Sequence, residues 1–281
     1  IARNISQLIR PPQRIRVSEA ATKSLKVKAK SGGVDSWSPE LVPYMIEPMD
    51  CLSMREYEIT IFAGPAQSGK TASILFGGIT HGVTCENADM MIVQTTKKTA
   101  DEFESLDLSW TIRHSPDLKE QMAKGSRADN VYMKTFKAGN KLILAWPTVE
   151  ALSGKALKTV ILTDADRMDA IPGEGSILKL AKERTKTYLS RGMVAMESSP
   201  SGELLDPQWQ PSKEHPHEAP PSDSKTLTAF NDGDRRRWYV KCPECQEFYM
   251  PPSDISGLVF NVNHDLLGAT DNILTSPAKY L

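Results

Sequence analysis

The chain has few of the features that commit a protein to an extreme environment. No stretch approaches the ~18 uninterrupted apolar residues of a membrane span, so no membrane association is expected. It has almost no net charge: 34 Lys and Arg face 35 Asp and Glu, a balance of -1. That excludes a globally basic nucleic-acid coat while leaving room for local basic patches. Cysteine is scarce, with four in 281 residues, too few for a disulfide framework. Two of the four, Cys242 and Cys245, form a Cys-x-x-Cys, which reads as metal or redox chemistry in a reducing compartment. No signal peptide is visible, and a sequence that begins on Ile reads as a piece excised from a longer chain. The remaining composition, 40% hydrophobic and 25% charged, is that of an ordinary soluble globular protein. The length suits one large domain, or one with a small appendage.

Three regions are expected. Residues 1–36 read as a flexible basic arm: the first thirty residues carry eight Lys and Arg against the single acid Glu19, with few large apolar side chains to bury. Residues 37–205 alternate strand-like and helix-like pieces, which predicts an α/β domain with a mostly parallel sheet flanked by helices. The expected strands include Ile59–Ala63, Met90–Val93, Val160–Leu162 and Met193–Met196. Helices are expected over Thr71–His81, Lys97–Arg113 and Ser176–Thr187. Val131–Phe136 and Lys141–Trp146 flank a Lys-Ala-Gly-Asn turn and predict a hairpin. Residues 206–281 open on a Pro-, Ser- and His-rich stretch and read as an irregular segment containing the Cys-x-x-Cys.

The most informative motif is Gly64-Pro65-Ala66-Gln67-Ser68-Gly69-Lys70-Thr71, a full G-x-x-x-x-G-K-[ST] between a predicted strand and a predicted helix. Glycines let the backbone curl so that its N–H groups face a phosphate, and the following helix offers its positive end to the same anion. In such a loop Lys70 reaches the β- and γ-phosphates, and the Thr71 hydroxyl is a ligand for Mg2+. Hydrolysis also requires acids. Asp164 ends the apolar run Val160–Leu162, where a metal-holding acid belongs, and Asp166 lies two residues on; alternatively both acids only cap the next helix. Ser198 and Ser199 end the last strand, where hydroxyls can sense a γ-phosphate.

These motifs in this order, from Trp37…Pro43-Tyr44 through the phosphate loop, Asp164/Asp166, Glu174-Gly175-Ser176, Glu197-Ser198-Ser199-Pro200 and Cys-Pro-x-Cys, resemble the large terminase subunit of tailed phages, in the lambda-like packaging ATPase family. The resemblance covers roughly residues 37–250. It implies an ATP- and Mg2+-dependent motor that drives double-stranded DNA into a procapsid in the host cell cytoplasm. Implied partners are a small terminase subunit, the portal, and copies of the same chain in a ring. It further implies a P-loop NTPase with the Ser198-Ser199 strand inserted between the phosphate-loop strand and the acid-bearing strand. The C-terminal nuclease of such subunits is not expected here, because acids are sparse after Pro251.

The sequence departs from that family pattern in several places. Thr163-Asp164-Ala165-Asp166 stands where relatives carry Asp-Glu. Either Asp164 holds the metal and Asp166 is the base, or Asp164 takes the Glu position and Thr163 the Asp position. Tyr44 either stacks on adenine or is an ordinary core aromatic. Arg184 and Arg191 are candidates for a cation acting on a neighbouring subunit. Cys242 and Cys245 either hold Zn2+ with further ligands, such as His215, His217, His264 or cysteines past Leu281, or are two free thiols. DNA contacts are expected from the basic arm and Arg235–Lys241. The competing readings are a helicase-like ATPase and a nucleotide-binding assembly module with little turnover.

Overall fold

The computed structural model describes residues 14–29, 31–206, 208–241 and 245–250, together with the backbone of 278–280. Its centre is a seven-stranded sheet. In chain order the strands are β3 (Ile59–Ala63), β4 (Met90–Val93), β5 (Asp129–Asn130), β6 (Met133–Thr135), β7 (Lys141–Ala145), β8 (Thr159–Thr163) and β9 (Met193–Ser198). Across the sheet they run β3-β9-β8-β4-β7-β6-β5, parallel from β3 to β7 and antiparallel beyond. The predicted hairpin is the β6–β7 pair.

The reason for this order lies in the side chains. β4, β8 and β9 are buried at every residue, as strands covered on both faces must be. Along them the apolar set splits with a period of two. Ile92, Ile161 and Ala195 join one core, and Met91, Val160, Val194 and Met196 join the other. Burying each such aliphatic side chain contributes about 1.5–3 kcal/mol.

The first core is roofed by helices α1 (Val17–Ser24), α2 (Ile46–Cys51), α3 and α4. α3 runs continuously through Thr71–Leu75, Phe76–His81 and Gly82–Glu86, and α4 through Lys97–Glu102, Phe103–Leu108 and Ser109–His114. The short α5 (Pro116–Gln121) follows. The second core is closed by α6 (Ile177–Thr185) and by Ala229 of α7 (Lys225–Asn231).

Two expectations are corrected here. Over residues 17–28 the expected flexible arm is instead part of the domain. Val17, Ala20, Ala21 and Leu25 are buried in α1 and its cap, and β1 (Lys26–Lys28) pairs with β2 (Val34–Ser36). The spacing 17, 20, 21, 24 is a helical stripe made of small residues, so its burial potential was hidden by the surrounding charge. Gly77 of α3 permits the close approach, since a Cβ there would lie 2.5 Å from Met49 Cε and 3.6 Å from Val17 Cγ1. Residues 1–13 lie outside the described residues.

Within residues 208–241 and 245–250 the C-terminal segment is likewise more regular than expected. α7 packs on the main sheet. β10 (Trp238–Lys241) pairs antiparallel with β11 (Phe248–Tyr249) and β12 (Ala278–Tyr280). The Trp238 ring meets Tyr44 edge-on at 6.3 Å, and Arg236 is paired with Glu47, Asp234 and Tyr57.

α3 also carries a buried histidine. His81 Nε2 donates to the Ile15 carbonyl at 2.9 Å, which requires the proton on Nε2. Burial pushes its pKa down from 6.5 to about 4, with Lys158 adding to the effect and the Ile15 carbonyl opposing it. The folded protein therefore binds this proton less readily than the unfolded chain. Stability from the neutral ring is complete above about pH 6.5 and is lost as pH falls toward 4, by ~3 kcal/mol over that window. Urea midpoints at pH 7.5 and 4.5 should show a smaller acid loss for His81→Gln than for wild type; equal losses would refute the assignment.

Candidate functional site

The site lies at the C-terminal edge of β3, β9 and β8. The Gly64 amide donates to the Ser198 carbonyl at 3.1 Å, tying the first loop residue to the end of β9. Pro65, Ala66 and Gln67 form an exposed crest, Ser68 and Gly69 descend from it, and Thr71 opens α3 with its side chain exposed. Gln67 and Gly69 have left-handed backbones, at φ 61 and 77. At Gly69 the residue type is dictated by that geometry. The crest stands over the N-terminal end of a 16-residue helix, which carries partial positive charge. Such a loop can hold an anion.

Lys70 is buried, 7% exposed, and all three of its donors are in use. Its Nζ donates to the Gly64 carbonyl at 3.1 Å, the Pro65 carbonyl at 2.7 Å and Ser199 Oγ at 3.0 Å. Ser68 Oγ donates to the Pro65 carbonyl at 2.8 Å. Tyr44 Oη donates to the Ser68 carbonyl at 3.1 Å, fixing the half-buried ring against the loop. Tyr44 thus lies beside the loop and also packs against the first core.

The acids divide sharply. Asp164 follows β8 with a left-handed backbone, φ 53 and ψ 43. It is half-buried, and no hydrogen bond or ion pair engages its carboxylate among the described residues. Asp166 is fully engaged. One oxygen accepts from the Ser201 amide at 2.7 Å and Ser224 Oγ at 2.6 Å; the other accepts from the Thr226 amide and hydroxyl, both at 2.7 Å. Burial alone would raise its pKa, but the hydrogen bonds from Ser224, Ser201 and Thr226 outweigh it and hold the carboxyl below its usual range. A carboxylate so depressed and so occupied is a poor proton acceptor. Asp166 anchors the start of α7 to the end of β8.

An acid to which the sequence reading gave no role lies beside Asp164. Glu197, on β9, is 2% exposed and accepts a hydrogen bond from the Thr163 hydroxyl. Burial raises its pKa, reinforced by the Asp164 charge; Thr163, Lys70 and the Asp164 amide pull the other way. The available signal was an ionisable residue ending an otherwise apolar strand, Met-Val-Ala-Met-Glu-Ser. Ser198, also buried, receives the Asp166 amide at 3.3 Å and donates to the Ser199 carbonyl at 3.2 Å.

The remaining candidates are scattered. Leu157, just before β8, donates its amide to the Arg184 carbonyl at 2.9 Å, and Arg191 precedes β9. Both arginines therefore stand at the opposite edge of the sheet, about 17 Å from Ser198 along β9 at ~3.3 Å per residue, and neither reaches Lys70 within the same subunit. In the run Arg235–Lys241, Arg236 is held by Glu47, Asp234 and Tyr57, while Arg237 lies over the Phe230 ring and donates to the His217 carbonyl. These two brace the fold rather than offering free charge. Cys242 and His264 lie outside the described residues, and Cys245 is exposed. Among the described residues no three His, Cys, Asp or Glu are grouped to hold a metal, and no helix is long and apolar enough to cross a membrane. A cleft of about 430 Å³ lined by Tyr132, Trp146 and Lys155 opens beside β7, remote from the loop.

The two aspartates should therefore separate in their effects on stability. Asp166→Ala removes both the acceptor for α7 and the tie to Ser201, and should lower unfolding stability by about 2–4 kcal/mol. Asp164→Asn, which keeps the tolerance for the left-handed backbone, should leave stability within about 1 kcal/mol of wild type. Parallel urea titrations followed by tryptophan fluorescence distinguish them; similar losses would contradict the assignment.

Comparison with known proteins narrows what this arrangement belongs to. No curated protein matches the sequence. The crystal structure of the HK97 bacteriophage large terminase superposes with a TM-score of 0.48 at 12% identity, over 65% of this chain and 37% of that one. The chain thus spans little more than a third of that protein's length. Residues 31–262 match the family described as phage terminase large subunit gpA, ATPase domain. With most of its length inside that match, the chain belongs to the gpA family of phage terminase large subunits, as their ATPase domain.

Proposed function

We propose that this chain binds ATP with Mg2+ at Gly64–Thr71 and hydrolyses it to move double-stranded DNA into a procapsid. The observation that carries the reading is Lys70, held at the loop mouth by two loop carbonyls and by Ser199 of the neighbouring strand. Its ammonium is parked, with weak acceptors, where a phosphate would be a stronger one.

The residues present suit a nucleotide with its metal. The loop amides and the N-terminus of α3 would hold the phosphates, and Thr71 offers an exposed hydroxyl. Asp164 keeps a free carboxylate at the strand end. Mg2+, when bound, would neutralise charge on the phosphate oxygens. Lys70 would exchange its contacts with Gly64, Pro65 and Ser199 for phosphate oxygens. Asp164 would orient and deprotonate the attacking water. Tyr44, pinned beside Ser68, would lie against the base. Because Ser199 shares Lys70 and Ser198 contacts the Asp166 amide, the end of β9 would respond when Lys70 changes partner. Arg184 or Arg191 would serve only a neighbouring subunit, in a ring on the portal, with a small subunit choosing the DNA. The Cys-x-x-Cys would bind Zn2+ only if further ligands join it.

Steady-state ATP turnover with Mg2+ and duplex DNA tests this. Lys70→Ala should lose about 100-fold or more. Asp164→Asn should retain ATP binding and lose a similar factor in kcat. Failure of the wild type to bind or hydrolyse ATP, or full turnover by Lys70→Ala, would overturn the reading.

A further inference from the structure

Strand geometry brings a second acid to the loop. β8 and β9 pair in parallel with Thr163 opposite Glu197. Side chains alternate along each strand, and Ile161 and Ala195, two residues earlier, both face the core roofed by α3. Thr163 and Glu197 therefore share the sheet face under the helix that follows the phosphate loop. Residue 163 is the last of β8 and holds a hydroxyl. That hydroxyl is bonded to Glu197 Oε1. Glu197 Oε2 is buried and meets no hydrogen-bond partner among the described residues.

An unpartnered buried carboxylate oxygen is costly unless a proton or a cation completes it. The surrounding groups define which cation. Lys70 lies near enough to act on Glu197 electrostatically, yet its three donors go to Gly64, Pro65 and Ser199. Asp164 adds a second negative charge close by. Two acids at one strand edge beside a phosphate loop call for more positive charge than one lysine supplies. A divalent cation carried in with nucleotide phosphate provides it.

We propose that Glu197 supplies, from β9, the carboxylate that faces nucleotide-bound Mg2+, with Thr163 orienting it. This rests on the nucleotide-binding reading above. It gives Thr163 a positioning role and leaves Asp164 free to act on water.

The test uses Mn2+ as the probe, with a non-hydrolysable ATP analogue, and reads metal binding by electron paramagnetic resonance. Nucleotide affinity without metal is measured separately by calorimetry in EDTA. Glu197→Gln keeps the size of the side chain and its bond to Thr163. It should leave metal-free nucleotide affinity within about twofold of wild type and weaken Mn2+ binding about tenfold or more. Adding Thr163→Asp to Glu197→Gln should restore Mn2+ affinity, which a merely structural role for Glu197 would not allow. Wild-type Mn2+ affinity in Glu197→Gln overturns the proposal, as does failure of that rescue. If Glu197→Gln does not fold, Thr163→Val carries the test: weaker Mn2+ binding is expected, and wild-type binding overturns the proposal. Wild-type protein that binds no nucleotide even without metal would instead refute the nucleotide reading, and the proposal with it.

Discussion

The placement of β9 between β3 and β8 is the constraint on which the site depends. Strand pairing in fixed register leaves no freedom in which residues meet at the sheet edge. Ala63 stands beside Ser198, and Thr163 beside Glu197. Gly64 is then close enough to bond the Ser198 carbonyl, and Lys70 to reach Ser199. A slip of one residue in β9 would turn Glu197 toward the opposite core and break each of these contacts. The register is held by the buried strands β8 and β9, so the packing of the core decides which side chains meet at the edge.

Asp166 exerts the second constraint. The chain leaves β9 at Ser198, runs through the Pro-rich stretch, and returns at Ser224. One carboxylate holds both ends, through the Ser201 amide and through Ser224 and Thr226. A long excursion is thereby closed against the main sheet, and α7 is positioned for Ala229 to join the second core. Arg236 and Trp238 do similar work further on, against Glu47, Tyr57 and Tyr44. Within Arg235–Lys241, Arg236 and Arg237 are tied to neighbouring groups of the fold.

The parallel sheet and the strand–loop–helix turn at Gly64–Thr71 were legible because strong local signals agree: β-branched and apolar runs of strand length, glycines at fixed offsets, a lysine at the loop's end. The α1 helix was not, because its buried stripe is mostly alanine and serine and the neighbouring lysines and arginines dominate the composition. The roles of Asp164 and Asp166 could not be separated from spacing. What separates them is Ser201, Ser224 and Thr226, residues up to sixty positions away that only folding brings together. Glu197 was visible as a letter in a motif, but its meaning depends on facing Thr163 across a strand pair, a non-local fact.

The left-handed backbone at Asp164 has a consequence for which acid can occupy that position. Aspartate and asparagine enter this region several times more readily than most residues, and glutamate shares no such tolerance. The main chain there thus selects the shorter acid whatever the chemistry would prefer. A carboxylate one methylene shorter, on a backbone that turns away from the strand direction, covers less distance.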